Sequence, residues 1–339
     1  MITRISERPN HLDWTLWHSL RKVNSSAVLA ALLVFLRGTA PAQSVPAAIF
    51  TDPAPDKAHP AKMTVLHIPT HGLPINGVVY QAAGAGLHPT IVICHGLPGN
   101  EKNPDLAQAV RRAGWNAVTF NYRGSWGSPG NFRFAQNLED AAAVLEYLRA
   151  PSHASAPGID TRRIVLAGHS MGGWVTALTA SKDSGLFGAI LISAADMGEL
   201  GETREQLIAD MADDMESLAG VTSQTMADEL TAHAKAFRMG NAAPGLAKSP
   251  LPAITSDDGL APAVATLVEA IQAQGGKNVR TTHFATDHSY SDHRIGLESE
   301  VLQWLAGLNQ DCAIVPGATY TRSLRRLAAS GLSKKMFRV

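Results

Sequence analysis

Residues 164–173 read IVLAGHSMGG, an apolar run that leads at once into a serine flanked by small residues. A strand can enter a helix through so sharp a turn only if small residues on either side of the serine let the two elements approach closely. Such a turn lifts the hydroxyl of Ser170 clear of the backbone and directs the amide of Met171 to the space beside it. The stretch therefore predicts a reactive serine at the carboxyl end of a buried strand.

The sequence on either side of this turn predicts an α/β sheet. Short apolar runs alternate with helical periodicity, and several runs are apolar throughout, as in parallel strands covered on both faces. We expect strands at 65–68, 75–80, 90–94, 116–122, 164–167, 189–193, 253–255 and 279–284, and helices at 105–113, 137–149, 262–274 and 294–308. The expected fold class is α/β, with a mostly parallel, doubly wound sheet of about eight strands that opens with an antiparallel pair.

Residues 196–250 interrupt the alternation and carry no strand signal. Helical patterns at 202–218 and 222–239 predict a small helical insertion at the end of the sheet where a lid can cover a site. We expect this insertion to belong to a single α/β domain over residues 63–310.

The first 42 residues have the pattern of a secretory signal. Two basic residues, Arg21 and Lys22, precede an apolar run at 27–36, and the small-residue pattern APA follows at 40–42. The run is shorter than the ~20 residues that span a bilayer. We expect a signal peptide over 1–42 and a periplasmic or secreted protein with no stable membrane insertion after cleavage. An uncleaved N-terminal membrane anchor is the alternative.

Composition and charge bound the remaining possibilities. The chain has 339 residues, is 45% hydrophobic and carries a formal net charge of zero, which excludes disorder of the whole chain and gives no reason to expect a nucleic-acid partner. Cys94 and Cys312 are too few for a disulfide framework, and we interpret both as free or buried thiols. Residues 43–62 are expected to form an extended lead-in, and 311–339 a basic, solvated C-terminal tail.

A reactive serine needs a base, and the stretch DHSYSDHR at 287–294 provides the candidates. It directly follows the last predicted strand, so a histidine there stands over the strand ends. We interpret His288 as the base; His293 is the alternative, disfavoured because it lies at the start of the final helix. The spacing of five between His283, His288 and His293 does not match a helical metal site, so we expect no metal.

The base needs an acid that orients it, and SDDGLAP at 256–262 closes the preceding strand. Two adjacent carboxylates compete for the role. We favour Asp258, which begins the turn made by Gly259, and interpret Asp257 as a turn or capping residue. The order serine, aspartate, histidine along the chain is that of one known arrangement of such triads.

The loop HGLPG at 95–99 follows an early strand and can supply a second donor to an oxyanion. Its glycines let the loop fold inward. The amide of Leu97 is the expected donor, since Pro98 has no amide hydrogen. We interpret His95 as structural.

These motifs, with NYRGSWGSPG at 121–130, resemble the α/β-hydrolase superfamily over about residues 63–310. The stretch GIDTRRI that leads into the serine turn resembles the branch with prolyl-oligopeptidase, dienelactone-hydrolase and serine-aminopeptidase members. The resemblance implies a nucleophile Ser170, an acid Asp258, a base His288, oxyanion amides at Leu97 and Met171, and no cofactor. The chain departs from the large oligopeptidases in lacking a propeller signal and from dienelactone hydrolases in having serine for cysteine.

The resulting functional hypothesis is a serine hydrolase that cleaves a small carboxylic ester through a Ser-His-Asp triad and an acyl-enzyme. A peptidase or aminopeptidase acting on short peptides is the first alternative. A hydrolase-fold protein that binds a ligand without catalysis is the second. Arg123, Gly124 and Trp126 are expected either to line the site or to pack beside it, and the oligomeric state is not indicated.

Overall fold

An eight-stranded sheet forms the centre of the computed structural model, which describes residues 44–212 and 215–313. The strands are β1 (Lys62–Thr70), β2 (Leu73–Gln81), β3 (His88–Cys94), β4 (Asn116–Phe120), β5 (Ile159–His169), β6 (Gly188–Ile192), β7 (Leu251–Ser256) and β8 (Val279–Phe284). Their spatial order is β1-β2-β4-β3-β5-β6-β7-β8. β2 pairs antiparallel with β1 and β4, and the other neighbours are parallel. The expected fold class is confirmed.

Helices cover both faces of this sheet, and short 3-10 turns occupy Ala47–Ile49 and Met239–Ala242. The helices are α1 (Pro104–Arg112), α2 (Phe134–Arg149), α3 (Pro151–Ala154), α4 (Met171–Ala180), α5 (Met197–Leu200), α6 (Arg204–Asp210), α7 (Ser223–Phe237), α8 (Ala243–Leu246), α9 (Ala261–Ala273) and α10 (Arg294–Ala313).

The apolar runs of the central strands are buried on both sides because successive side chains of a strand point to opposite faces. In β3, Ile91 and Ile93 join the cluster that contains residues of α1 and α10. Val92 and Cys94 join the cluster on the other face, with residues of α2, α4 and α9. Each such aliphatic side chain stabilises the fold by about 1.5–3 kcal/mol, so the sheet is a rigid support for the loops at its carboxyl edge.

The segment between β6 and β7 carries α5 to α8, and one expectation for it is wrong. The predicted helix over 202–218 ends at Asp210, and Leu218 instead forms an isolated antiparallel bridge with Ser125. The amide of Ala219 donates to the Gly124 carbonyl at 2.7 Å. The backbone N–H and C=O groups near Leu218 thus form hydrogen bonds with the loop after β4. The periodicity of the sequence alone predicts that they bond within a helix.

Within the described ranges, no helix is long and apolar enough to cross a membrane. The predicted signal peptide at 1–42 lies outside the described residues, as does the predicted basic tail beyond residue 313.

Candidate active site

Ser170 occupies a sharp turn between β5 and α4. Its φ of 58° and ψ of −124° lie in a region that costs a side-chain-bearing residue about 1–3 kcal/mol. The flanking glycines make the turn possible, since a Cβ on Gly168 would collide with the Gly172 carbonyl and one on Gly172 with the Cys94 carbonyl. The Ser170 amide donates to Ile192 of the neighbouring strand at 3.0 Å. The sheet therefore holds the serine in a strained conformation in which the residue is only partly buried.

Asp258 and His288 meet directly. Nδ1 of His288 lies 2.8 Å from Oδ2 of Asp258, whose side chain is only 4% exposed. The Leu260 amide donates to the other carboxylate oxygen at 2.9 Å. Burial raises the pKa of Asp258, but hydrogen bonds, first from His288 and then from the Leu260 amide, outweigh it and leave that pKa below its ordinary value. The carboxylate is thus ionised at neutral pH and accepts a hydrogen bond from Nδ1–H of His288.

The neighbouring candidates are paired elsewhere. Oδ1 of Asp257 lies 3.0 Å from Nε2 of His283, and both side chains are largely exposed. His293 contacts Asp292 through Nδ1 at 2.9 Å. Of the two carboxylates and the two loop histidines that the sequence offers, the structure brings only Asp258 and His288 together.

A hydrogen bond holds the loop that carries His288 beside Ser170. Nε2–H of His169, the residue before Ser170, donates to the His288 carbonyl at 2.8 Å, and the two rings are 4.5 Å apart. Among the described contacts, the Ser170 hydroxyl makes no hydrogen bond to His288; such contacts often tighten only when substrate binds. Two further anchors follow in the chain, from Arg294 to the Ser289 carbonyl at 3.1 Å and between the hydroxyls of Tyr290 and Ser193 at 3.0 Å.

The loop at 95–99 lies against the serine. A Cβ placed on Gly96 would be 2.9 Å from Cβ and 3.5 Å from Oγ of Ser170. In the part of the chain that the structure describes, neither the Leu97 amide nor the Met171 amide donates to a protein acceptor. Unpaired N–H groups on residues next to a reactive serine are the kind of donor that an oxyanion requires, so the oxyanion role of both amides stays a prediction.

The orientation of this loop depends on residues that the sequence did not single out for it. The Pro98 carbonyl accepts hydrogen bonds from Trp126 Nε1 at 2.8 Å and from the Ser217 hydroxyl at 3.3 Å. The ammonium of Lys102 lies 4.2 Å from the Trp126 ring. Trp126 therefore packs against the loop, and Ser217 reaches it from the segment between β6 and β7.

His95 and Arg123 are buried and make hydrogen bonds within the protein. Burial lowers the pKa of His95 to about 4, so this histidine is neutral at pH 7, and its Nδ1–H donates to the Gly96 carbonyl at 2.7 Å. Arg123 is buried against Asp140, with Nε 2.6 Å from Oδ1. The thiol of Cys94 is free and buried, and the side chain of Cys312 lies outside the described residues.

Three sets of contacts could not be predicted from the sequence. They join His169 to the His288 carbonyl, Arg294 to the loop that carries His288, and Ser193 to the neighbouring hydroxyls. Arg294 contacts Asp105 across 189 positions of the chain, so local periodicity carries no signal for it. The histidine directly before Ser170 is the one clue to them that the sequence offers. No cluster of three side chains that could hold a metal occurs within residues 44–212 and 215–313.

Comparison with protein-family models matches residues 91–297 to the "Alpha/beta hydrolase family". An uncharacterized 31.7 kDa protein from the traX-finO intergenic region of Escherichia coli is 36% identical over 101 residues, which are 28% of this chain and 34% of that protein. An uncharacterized protein of Mycobacterium tuberculosis is 28% identical over 121 residues, or 35% of this chain and 41% of its own. The matched region thus spans less than half of either relative.

Solved structures share the architecture. Est1E from Butyrivibrio proteoclasticus has a TM-score of 0.58 at 17% identity, covering 73% of this chain and 99% of that one. An acylaminoacyl peptidase from Pyrococcus horikoshii has a TM-score of 0.57 at 17% identity, covering 73% and 41%. An esterase from the archaeon Pyrobaculum calidifontis has a TM-score of 0.53 at 18% identity, covering 75% and 88%. At these identities the likeness shows the fold.

Proposed function

Because the chain belongs to the alpha/beta hydrolase family, we propose that it is a serine hydrolase that cleaves carboxylic esters through Ser170, His288 and Asp258. The observation that carries this proposal is the 2.8 Å contact between Asp258 and His288, fastened beside a strained serine turn. A buried carboxylate that fixes Nδ1–H of an imidazole leaves Nε2 as the proton acceptor, which is the arrangement a serine nucleophile requires.

The reaction follows from these positions. Nε2 of His288 takes the proton of Ser170 as Oγ forms a bond to the ester carbonyl carbon, and the carbonyl π electrons move to oxygen. The amides of Leu97 and Met171 donate to that oxyanion, and one such donor is worth about 10²–10³ in kcat. The imidazolium then protonates the departing alkoxide, leaving an acyl-enzyme. Water, deprotonated by the same imidazole, releases the carboxylic acid and restores the serine.

The ester preference rests on the modest size of the segment between β6 and β7, which suits small acyl substrates. A peptidase acting on short peptides is the second candidate. The likeness to the acylaminoacyl peptidase favours it, although this chain covers only 41% of that protein. The signal-like pattern at 1–42 supports a site of action in the periplasm or outside the cell.

The test uses short-chain p-nitrophenyl esters beside aminoacyl-p-nitroanilides, with the protein and its Ser170→Ala variant. We expect ester turnover that is lost in Ser170→Ala and kept in Ser184→Ala, an exposed serine of the loop after α4. Fluorophosphonate should label the protein but not the Ser170→Ala variant. Turnover of anilides in preference to esters would identify the peptidase. Absence of turnover and labelling would contradict the enzyme and leave a binding protein.

A further inference from the structure

Three buried hydroxyl groups meet behind the acid and the base. The Ser193 Oγ lies 2.9 Å from the Ser256 Oγ and 3.0 Å from the Tyr290 hydroxyl oxygen. All three residues are at most 1% exposed. Ser193 directly follows β6, Ser256 ends β7, and Tyr290 belongs to the loop of His288. Ser193 therefore joins the strand end that leads to Asp258 with the loop that carries the base.

The backbone at two of these positions is strained. Ser193 has a φ of 41° and Tyr290 a φ of 57°, and glycine is the residue that adopts positive φ without cost. Such strain persists where the surrounding structure fixes it, and it concentrates at functional sites. A serine at position 193 gives up the conformational freedom of glycine and gains a hydroxyl that points at two partners.

The hydroxyls also act on the acid. Burial raises the pKa of Asp258, and among the hydrogen bonds that oppose this effect are those from the hydroxyls of Ser193 and Ser256. Hydroxyl protons rotate to suit their neighbours, so Tyr290 can donate to Ser193, one serine can donate to the other, and the remaining serine proton can point to the carboxylate. Outside the base and acid themselves, the charged or titratable groups that face this region are His169 of β5 and Arg294 of α10.

We propose that Ser193 is a positioning residue for the proposed hydrolysis, which holds the Asp258 carboxylate and the His288 loop in one geometry through its contacts with Ser256 and Tyr290. The inference rests on the proposed function and deepens it. If the cluster served packing alone, apolar side chains would stabilise the fold more. Burying a hydroxyl costs desolvation free energy, and its hydrogen bonds do no more than offset that cost.

Two variants test the proposal. Ser193→Gly removes the hydroxyl and relieves the positive φ, and Tyr290→Phe removes only the phenolic oxygen. Because small misplacements of catalytic groups lower rates by up to about 100-fold, we expect kcat to fall between about 10- and 100-fold in each, with KM within about twofold of the unmodified protein. The acid limb of the kcat/KM profile should move to lower pH, because a carboxylate held less firmly stabilises the imidazolium less.

The matched control is Tyr147→Phe, a tyrosine of α2 that stacks on His153 away from these loops, and it should keep the unmodified kcat and pH profile. The folded fraction of each variant is measured by near-ultraviolet circular dichroism. Unchanged kcat and pH profile in both test variants would overturn the role of Ser193, as would a loss of rate that only matches a loss of folded protein. If the unmodified protein hydrolyses no substrate, the proposed function fails and this inference fails with it.

Discussion

The imidazole of His169 donates its Nε2 proton to the backbone carbonyl of His288 at 2.8 Å. The residue before the candidate nucleophile thus fixes the backbone of the candidate base. With Arg294 on the Ser289 carbonyl and Ser193 on the Tyr290 hydroxyl, three consecutive residues of the base loop each have a separate anchor. The backbone and side-chain contacts of this loop therefore fix the position of His288 from three sides.

The first prediction concerns acid stability. Burial, and then the neighbouring His288, lowers the pKa of His169 to about 4, whereas an unfolded histidine titrates near 6.5. Between these two pH values the imidazole of residue 169 is protonated in the unfolded chain but neutral in the folded protein. The free energy of unfolding therefore falls as the pH drops from about 6.5 toward 4, by about 3 kcal/mol for this group. Urea unfolding at stepped pH measures the slope.

The variant His169→Gln keeps a donor for the His288 carbonyl but does not titrate, so its stability should depend less steeply on pH over that interval. Above pH 7 the two proteins should show the same pH dependence, since both then carry a neutral side chain. Equal slopes below pH 6.5 would contradict the assignment of His169 as a neutral buried group.

The second prediction separates the two adjacent carboxylates. In Asp258→Asn the partner of His288 Nδ1 becomes a neutral amide, and we expect kcat to fall by about 10³–10⁴-fold with the fold intact. Asp257→Asn is the matched control, because the hydrogen bond described for that side chain goes to the exposed His283, and its kcat should stay within about twofold. Steady-state ester hydrolysis distinguishes the two, and a larger loss in Asp257→Asn would reverse the assignment.

The third prediction concerns the serine turn. In Gly172→Ala the added methyl group meets the Cys94 carbonyl, a backbone atom that cannot move aside, so we expect a loss of about 4 kcal/mol or more in unfolding free energy, or no folded protein. Gly240→Ala, where nothing lies within 4 Å of the new Cβ, should stay within about 1 kcal/mol. Urea denaturation of the pair is the measurement, and similar stabilities would refute the close approach.

The fourth prediction concerns Arg294, whose guanidinium contacts both carboxylate oxygens of Asp105 at 2.6 and 2.7 Å and the Asn103 side chain at 3.0 Å. Lysine cannot reproduce this fork. We expect Arg294→Lys to lower the unfolding free energy by about 1–3 kcal/mol and to lower kcat, because the Ser289 anchor is lost with the fork.

Arg204→Lys is the comparison variant, since the pair that Arg204 forms with Asp228 is exposed, and such pairs contribute about 0–1 kcal/mol. Thermal unfolding and ester hydrolysis of both variants provide the readouts. An unaltered kcat in Arg294→Lys would show that the base loop does not depend on this anchor.

Much of the fold could be predicted because its signals are local. The apolar run before Ser170 and the small residues around it specify the turn from strand to helix without reference to any other part of the chain. The candidate acid and base could be selected because each follows a strand whose end must lie at the same edge of a parallel sheet. Their catalytic roles stay predictions.

The anchors could not be predicted, because they join residues that only the sheet order brings together. Ser193 meets Tyr290 across 97 positions and His169 meets His288 across 119. The incorrect helix prediction at 202–218 has the same origin: helical spacing of apolar residues does not reveal that the chain near Leu218 pairs with Ser125. Backbone pairing with a distant loop overrode the local preference.

The contacts of Ser217 and Leu218 have a consequence for protein engineering. Ser217 supports the Pro98 carbonyl, and Leu218 is bridged to the loop that supplies Trp126, the other support of the same carbonyl. A chimera that exchanges the segment between β6 and β7 for that of a relative would therefore disturb the loop that carries the amide of Leu97. In this scaffold the two stretches of chain cannot be exchanged as independent modules.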